Sequence, residues 1–461
     1  MEVLEVFESG AKKLASKVLQ QDFVDVIAHI DADGICAASI ASGALENEGI
    51  EYDVTFLKQI DDHALEKLKE KSSFLWFVDL GSGVYNELED LDFIITDHHL
   101  PVSNSSEKQL NPHLFGFDGS TVISGAGVTY LLAKNMNEKN RELASIAIMG
   151  AIGDMQDNEN CALVGLNREI LSDALDKIKV TRDVRYFGRE TRPLFRLIQY
   201  ASDPVIPGVS GLESTSIRFL KELGIGFKNG NKWRRWIDLN IDEKRKIVSK
   251  IVKILIQKGF GTKRTKRLVG EVYTLKSEES GTILHDCKEF STLLNACGRH
   301  GKPEIATAIC LGDRDFYLKK AMLLRNEHRS AIANGVGLVK EIGMEQMKNI
   351  VYFDAGEKID ERVVGIVAGM FLEANNLEKP IVAFALMKDK VKLKVSSRAT
   401  TDMIHRGVDL AKAMSNGAKK VGGFGGGHKM AAGASVPIDK KGDFLKEVDE
   451  TIGKQLAQRS P

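Results

Sequence analysis

Four apolar segments in the first third of the chain each run into acids or imidazoles, which demands a fold in which the ends of separate elements meet. Residues 24–28 lead into His29-Ile30-Asp31-Ala32-Asp33-Gly34, and residues 74–78 end on Asp79. Residues 93–96 end on Asp97-His98-His99, and the small-residue stretch 143–152 delivers Asp154 through a turn at Gly153. The first three segments read as strands. Between and around them, amphipathic stretches at 11–19, 35–47, 62–69 and 127–134 read as helices, so the pattern is that of a mainly parallel sheet covered on both faces. Open α/β sheets bind ligands at the carboxyl ends of their strands, where Asp31, Asp79 and Asp97 fall.

Five carboxylates and up to three imidazoles can thus converge on one spot. Divalent cations favour this mixture of oxygen and nitrogen donors, and the number of donors suits two ions, about 3.5–4 Å apart, better than one. Asp31, Asp33 and His29 share strand parity, so they face one way on an extended backbone; the alternative is a turn in which Asp33 caps the following helix. Asp79 ends a run apolar enough to be a central strand, where an uncompensated carboxylate is costly. A bridging metal resolves that cost, and a helix cap is the bland alternative. From an extended backbone His98 and His99 point apart, one toward metal and one toward substrate, with Asp97 orienting or sharing the site. Asp154 completes the set. Asp157 reads as a solvated surface acid.

The chain has 461 residues, enough for two or three domains with their own cores. With 64 basic and 64 acidic side chains there is no global attraction for nucleic acid, so any such surface must be a local patch. Five widely spaced cysteines without a Cys-x-x-Cys pair suggest neither a disulfide framework nor a zinc knuckle. No apolar run reaches the length of a membrane span, and Glu2, Glu5 and Glu8 stand where a signal peptide would be basic and then apolar. The expected location is the cytoplasm.

The expected domains are a catalytic α/β domain at 1–185, a mostly helical intermediate module at 186–312, a connecting helix within 313–347, and a second α/β domain at 348–461. Residues 167–178 are expected to close the first domain as a helix. Gly335 and Gly337 are expected to bend or interrupt the connecting helix, read at 316–342. In the second α/β domain, strands are expected at 351–353, 381–385, 390–395 and 434–436, with helices at 362–374, 401–414 and 444–455. Ser396-Ser397-Arg398 ends an alternating strand, and Gly422-Gly423-Phe424-Gly425-Gly426-Gly427-His428 reads as a loop. Such a loop can cradle a phosphate while Arg398 forks onto its oxygens, or it is a tight turn without a ligand. In the middle, Lys232-Trp233-Arg234-Arg235-Trp236 and Lys263 to Arg267 interleave cations with aromatic rings. That suits stacking on unpaired bases, and equally a solvated helix face with buried tryptophans.

The ordered set of Asp-Ala-Asp-Gly, Val-Asp-Leu-Gly, Asp-His-His and Gly-Asp-Met resembles the DHH phosphoesterase superfamily, and the Gly-Gly-Gly-His run with Ser-Ser-Arg resembles its DHHA1 domain. The long middle insertion looks like the archaeal RecJ-like proteins, the GINS-associated nuclease type. The resemblance implies metal ligation by His29, Asp31, Asp33, Asp79, His98 and Asp154, with Asp97 and His99 in the catalytic set. It assigns substrate contacts to His99, Ser397, Arg398, Gly425, Gly426, Gly427 and His428. It further implies two Mn²⁺ ions, or Mg²⁺, and exonucleolytic hydrolysis of single-stranded DNA or RNA to mononucleotides in replication or repair. The GINS complex and MCM helicase are the implied partners. A small-substrate phosphodiesterase acting on oligoribonucleotides, and a replisome scaffold with weak nuclease activity, are the alternatives.

Overall fold

The computed structural model describes residues 2–375 and 377–457. The chain forms two compact units divided between Met322 and Leu323. In the first, helix α1 (Glu2–Val18) precedes the alternation β1 (Phe23–His29), α2 (Ala32–Glu48), β2 (Glu51–Leu57), α3 (Asp62–Lys69), β3 (Phe74–Val78), β4 (Phe93–Thr96) and β5 (Gln109–Leu110). The five strands pair in parallel in the order β2-β1-β3-β4-β5. Every residue of β3 and β4 is buried, as in strands covered on both faces. Strand β2 was not among the expected strands. It lies at the sheet edge with half-buried and exposed residues, so it lacks the apolar run that marks its neighbours.

Helices α4 (Gly125–Met136) and α5 (Ala144–Gly153) pack on α2, which is buried from Ala32 to Leu45. Its run of Ala, Gly and Ser allows two helices to approach closely. The helix expected at 167–178 ends early: α6 covers Leu166–Asp173, and Ile178–Val184 forms strand β6. The alternation Ile178-Lys179-Val180-Thr181 has strand period, which a helix reading overlooks.

From β6 the chain passes through α7 (Leu194–Gln199), α8 (Glu213–Glu222), the hairpin β7 (Lys228–Asn229) and β8 (Lys232–Trp233), α9 (Ile241–Gln257) and α10 (Thr262–Lys266). It returns on β9 (Val269–Leu275), antiparallel to β6, with Val184 opposite Val269. The inserted segment has its own core, including Leu194, Ile198, Phe219, Trp236, Ile251 and Leu255. Helices α11 (Cys287–Arg299) and α12 (Pro303–Cys310), grouped with this module in the sequence, instead pack on the first domain: α11 on α2 and α5, α12 on α2.

Helix α13 (Phe316–Ile342) is continuous through Gly335 and Gly337. A Cβ at Gly335 would lie 2.8 Å from Val367, so this glycine admits a close neighbour rather than a bend. The second unit continues with β10 (Glu345–Gln346), β11 (Val351–Asp354), α14 (Val364–Ala374), β12 (Ile381–Leu386), β13 (Lys392–Arg398), α15 (Thr401–His405), α16 (Leu410–Lys420), β14 (Phe424–Gly427), β15 (Ala431–Pro437) and α17 (Lys441–Ala457). Its sheet runs β10-β11-β12-β13-β15-β14 and is mixed, with β11 and β12 parallel. The single helix expected at 401–414 is two, broken at Gly407 (φ 109°) and restarted by the Asp409 cap. No helix among the described residues is long and apolar enough to cross a membrane.

Candidate metal centre

The ends of β1, β3 and β4 and the end of α5 bring His29, Asp31, Asp33, Asp79, His98, His99 and Asp154 together. Three groups each have ligand atoms within 4.8 Å of one another: His29 with Asp31 and Asp79, Asp33 with His98 and Asp154, and Asp79 with His98 and His99. Asp79 and His98 each belong to two of them. Asp79 Oδ2 lies 3.5 Å from His29 Nδ1, while its Oδ1 lies 3.3 Å from His98 Nε2. Its two oxygens therefore face different donor sets, the geometry of a bridging carboxylate.

Local backbone chemistry fixes these positions. Asp79 has φ 59°, in the left-handed region that L residues other than Gly, Asn and Asp seldom visit. A Cβ at Gly34 would sit 2.2 Å from the His29 carbonyl oxygen, so only glycine lets α2 start so tightly after β1. Asp31 is the N-cap of α2, accepting from Gly34 N–H, and Asp33 lies in its first turn, so strand parity does not align the two. Asp33 accepts from the N–H groups of Gly125 and Ala126 at the start of α4.

His98 Nδ1 donates to the Gly119 carbonyl at 2.7 Å, which fixes the tautomer and leaves Nε2 toward Asp79 and Asp33. Asp97 is buried and accepts from the N–H of Ser82, His98 and His99 and from His99 Nδ1. It orients the neighbouring groups and is absent from all three donor groups. The sequence expectation that His98 and His99 diverge is corrected: the chain leaves strand conformation after Thr96, and the two rings lie 4.5 Å apart on the same side. Gln156, which sequence reasoning did not single out, donates to Asp154 Oδ2 and to the carbonyls of Gly119 and Ile123. Asn295 accepts from Ala32 N–H, and Arg299 on the same helix is close enough to feel the Asp31 charge.

Electrostatics show a centre that expects cations. Burial holds Asp33 well above the usual carboxylate range, reinforced by the Asp79 charge, and burial raises Asp154 to about 6 against the pull of His98. Burial alone would lower the imidazoles, but Asp31 and Asp79 hold His29 above its usual range and Asp79 does the same for His98. His99 is lifted to about 9 against its burial, chiefly by Asp97. Burial would raise Asp31, yet His29 holds it below the normal range. His29 Nδ1 and Asp79 Oδ1 are buried without a hydrogen-bond partner among the described residues. Such orphaned donor atoms, amid protons held by crowded carboxylates, fit divalent metal.

Asp157 is not a solvated acid. It is buried and receives a 2.6 Å contact from Arg185 Nη2, joining the Asp154 loop to the inserted module.

In the second unit, Arg398 Nη1 donates to the Ser397 carbonyl, and a Cβ at Gly365 of α14 would come within 2.7 Å of its Nη2. Ser397 is fully buried and donates its hydroxyl to the Ala432 carbonyl, which turns it inward rather than toward a ligand. The expected glycine loop is strand β14 at the sheet edge, with Gly425, Gly426 and Gly427 opposite Ala434, Gly433 and Ala432. A Cβ at Gly425 would meet the Met414 carbonyl at 2.5 Å, so this glycine is required by the packing of α16. His428 is exposed in the turn that follows.

Three family matches tile the chain: DHH family, N-terminal domain, at 24–152; DHH-CID domain at 186–269; and DHHA1 domain at 347–454. An uncharacterized protein of Methanocaldococcus jannaschii is 32% identical over 99% of both chains. Among solved structures, CDC45 from Entamoeba histolytica aligns over 98% of both chains with a TM-score of 0.67 and 9% identity. Exonuclease RecJ bound to manganese aligns over 98% of this chain and 96% of that one, with a TM-score of 0.59 and 17% identity. RecJ of Thermus thermophilus in complex with Mn²⁺ gives the same TM-score and identity over 97% of this chain, which spans only 55% of it. With its parallel-sheet domain, helical insertion and DHHA1 domain, the chain belongs to the DHH superfamily and is RecJ-like in fold.

Proposed function

We propose that the protein is a metal-dependent exonuclease that hydrolyses phosphodiester bonds of single-stranded DNA or RNA to mononucleotides. The observation that carries this reading is the Asp79 carboxylate, whose two oxygens face separate donor groups. Two Mn²⁺ or Mg²⁺ ions, one held by His29, Asp31 and Asp79 and the other by Asp33, His98 and Asp154 with Asp79 between them, would activate water and clamp the attacking and leaving oxygens. The chain's own residues prepare that chemistry. Gly119 fixes the His98 tautomer, Gln156 steadies Asp154, and Asp97 holds His99 Nδ1 so that Nε2 carries a donor to a phosphate oxygen. His99, raised to about 9, keeps its proton at neutral pH. In the second unit Arg398, the glycine-rich edge strand and His428 are the proposed phosphate contacts.

The RecJ fold supports the nuclease reading, and the likeness to CDC45 supports an added place among replication proteins, with GINS and MCM as proposed partners. The intact donor set favours catalysis over a purely scaffolding role. Strands labelled separately at each end, as DNA and as RNA, should release mononucleotides in Mn²⁺, and Asp79→Ala should stop it. Turnover of dinucleotides alone would favour a small-substrate enzyme, and release that persists in the variant would remove the site.

A further inference from the structure

Residues 218–267 hold sixteen Lys and Arg against four Asp and Glu, in a chain that is neutral overall. The fold sorts these cations into two classes. Arg234, Arg235, Lys244, Arg245 and Arg267 are tied to carboxylates. Lys246, Lys250 and Lys253 have no ion-pair partner among the described residues. Their i, i+4, i+7 spacing sets them in one stripe along α9, spanning about 10 Å, away from the buried Ile247, Ile251 and Leu255. Lys246 feels the Glu243 carboxylate one turn away, but Lys250 stands among like charges that repel at this spacing.

At the amino end of the stripe, Glu243 holds Arg234 at 2.6 Å, which docks the β7–β8 hairpin there. That hairpin presents Trp233, 42% exposed, with Phe227 stacked on it at 6.0 Å, Phe195 tilted against it at 4.8 Å and Lys228 Nζ 4.3 Å from its ring centroid. The other tryptophan of the motif, Trp236, is core: it is 1% exposed and donates Nε1–H to Asp183. At the carboxy end α10 adds Arg264 and Lys266; the side chain of Lys263 lies outside the described residues. None of these residues belongs to the metal centre.

We propose that this face of the inserted module is a second, non-catalytic docking surface for single-stranded nucleic acid, with the lysine stripe on phosphates and Trp233 against a base. Cations without an ion-pair partner among the described residues, on a helix to which the Trp233 hairpin is docked by Arg234 and Glu243, match a strand that offers both phosphates and bases. An acidic protein surface would also engage these charges, and competition by polyglutamate separates it from a strand.

The test uses the full chain in EDTA, with anisotropy of a fluorescein-labelled 30-residue oligothymidylate. Lys246→Ala/Lys250→Ala/Lys253→Ala should weaken binding at least ten-fold and lower the slope of log affinity against log salt by about 2, at roughly 0.7 per lost phosphate contact. Trp76 and Trp236 are buried, so quenching of tryptophan emission by unlabelled strand should report Trp233 and vanish in Trp233→Phe. Unchanged affinity and slope in the triple variant, quenching that survives Trp233→Phe, or more effective competition by polyglutamate than by oligothymidylate would each overturn the proposal. Should the triple variant fail to fold, Lys250→Gln and Trp233→Phe read the same surface singly. Dinucleotide hydrolysis in Mn²⁺, for which none of these residues is a proposed contact, should be unchanged in all variants. Lost strand binding in a protein that hydrolyses nothing would therefore uphold this surface while rejecting the nuclease reading.

Discussion

His99 Nδ1 donates to Asp97 Oδ1 at 2.7 Å, and the same carboxylate is pinned by the N–H of Ser82 at 3.0 Å. The bond fixes the aim of the His99 ring, and the Asp97 charge keeps the ring doubly protonated. Asp97→Asn keeps the shape but removes the charge that holds the second proton, so Nε2 loses its donor. We expect turnover or metal affinity to fall by about 10–100-fold, the usual effect of losing an orienting carboxylate, with the fold intact. Steady-state kinetics and Mn²⁺ calorimetry check this, and wild-type values in the variant would reduce Asp97 to a structural role.

Asp79 combines a left-handed backbone, which costs stability on the order of 1–3 kcal/mol and persists where function needs it, with a buried Oδ1 that has no hydrogen bond among the described residues and only an ion-pair contact to His98. Asp79→Gly removes both while accepting the φ of 59°. Hydrolysis should be lost and bound Mn²⁺ reduced, whereas the metal-free melting temperature should hold or rise. A clear fall in melting temperature would mean that the carboxylate stabilises the fold.

Metal loading should be proton-coupled. Burial lifts Asp154 to about 6, above its unfolded value, so the metal-free protein gains from this group at low pH and loses that gain as pH rises through 6. Ions need the deprotonated form, so affinity for Mn²⁺ should climb between pH 5 and pH 7.5, with protons released on binding. Calorimetry in buffers of different ionisation enthalpy measures that release. A pH-independent affinity without proton release would contradict the electrostatic account.

The Arg185–Asp157 pair is buried on both sides, at 3% and 6% side-chain exposure. Arg185→Met strands the Asp157 charge and should destabilise by about 3–5 kcal/mol, while adding Asp157→Leu should recover much of that loss. Urea unfolding of both variants decides it. A single variant as stable as the wild type would show that water reaches Asp157.

The parallel sheet and the convergence of acids were legible because each strand of the centre is a mainly apolar run that leads into a carboxylate or imidazole, as Phe74 to Asp79 shows. What escaped has a common physical cause: long-range packing sets the role, and local pattern does not carry it. Asp157 reads as any surface acid until Arg185, distant in sequence, is placed against it. Gly425 looks like loop flexibility until the Met414 carbonyl shows why no Cβ fits. Gln156 and Asn295 act on the centre through hydrogen bonds whose partners lie on other elements. Strands β2 and β6 were hidden by partial exposure, which leaves polar residues among their apolar ones.

Because Val184 and Val269 face each other on β6 and β9, the chain departs for its excursion and comes home on the same rung of one ladder. A detour anchored this way behaves as a cassette. Its length and surface can change without disturbing the register of the parallel sheet, because both of its ends are held by one antiparallel pair.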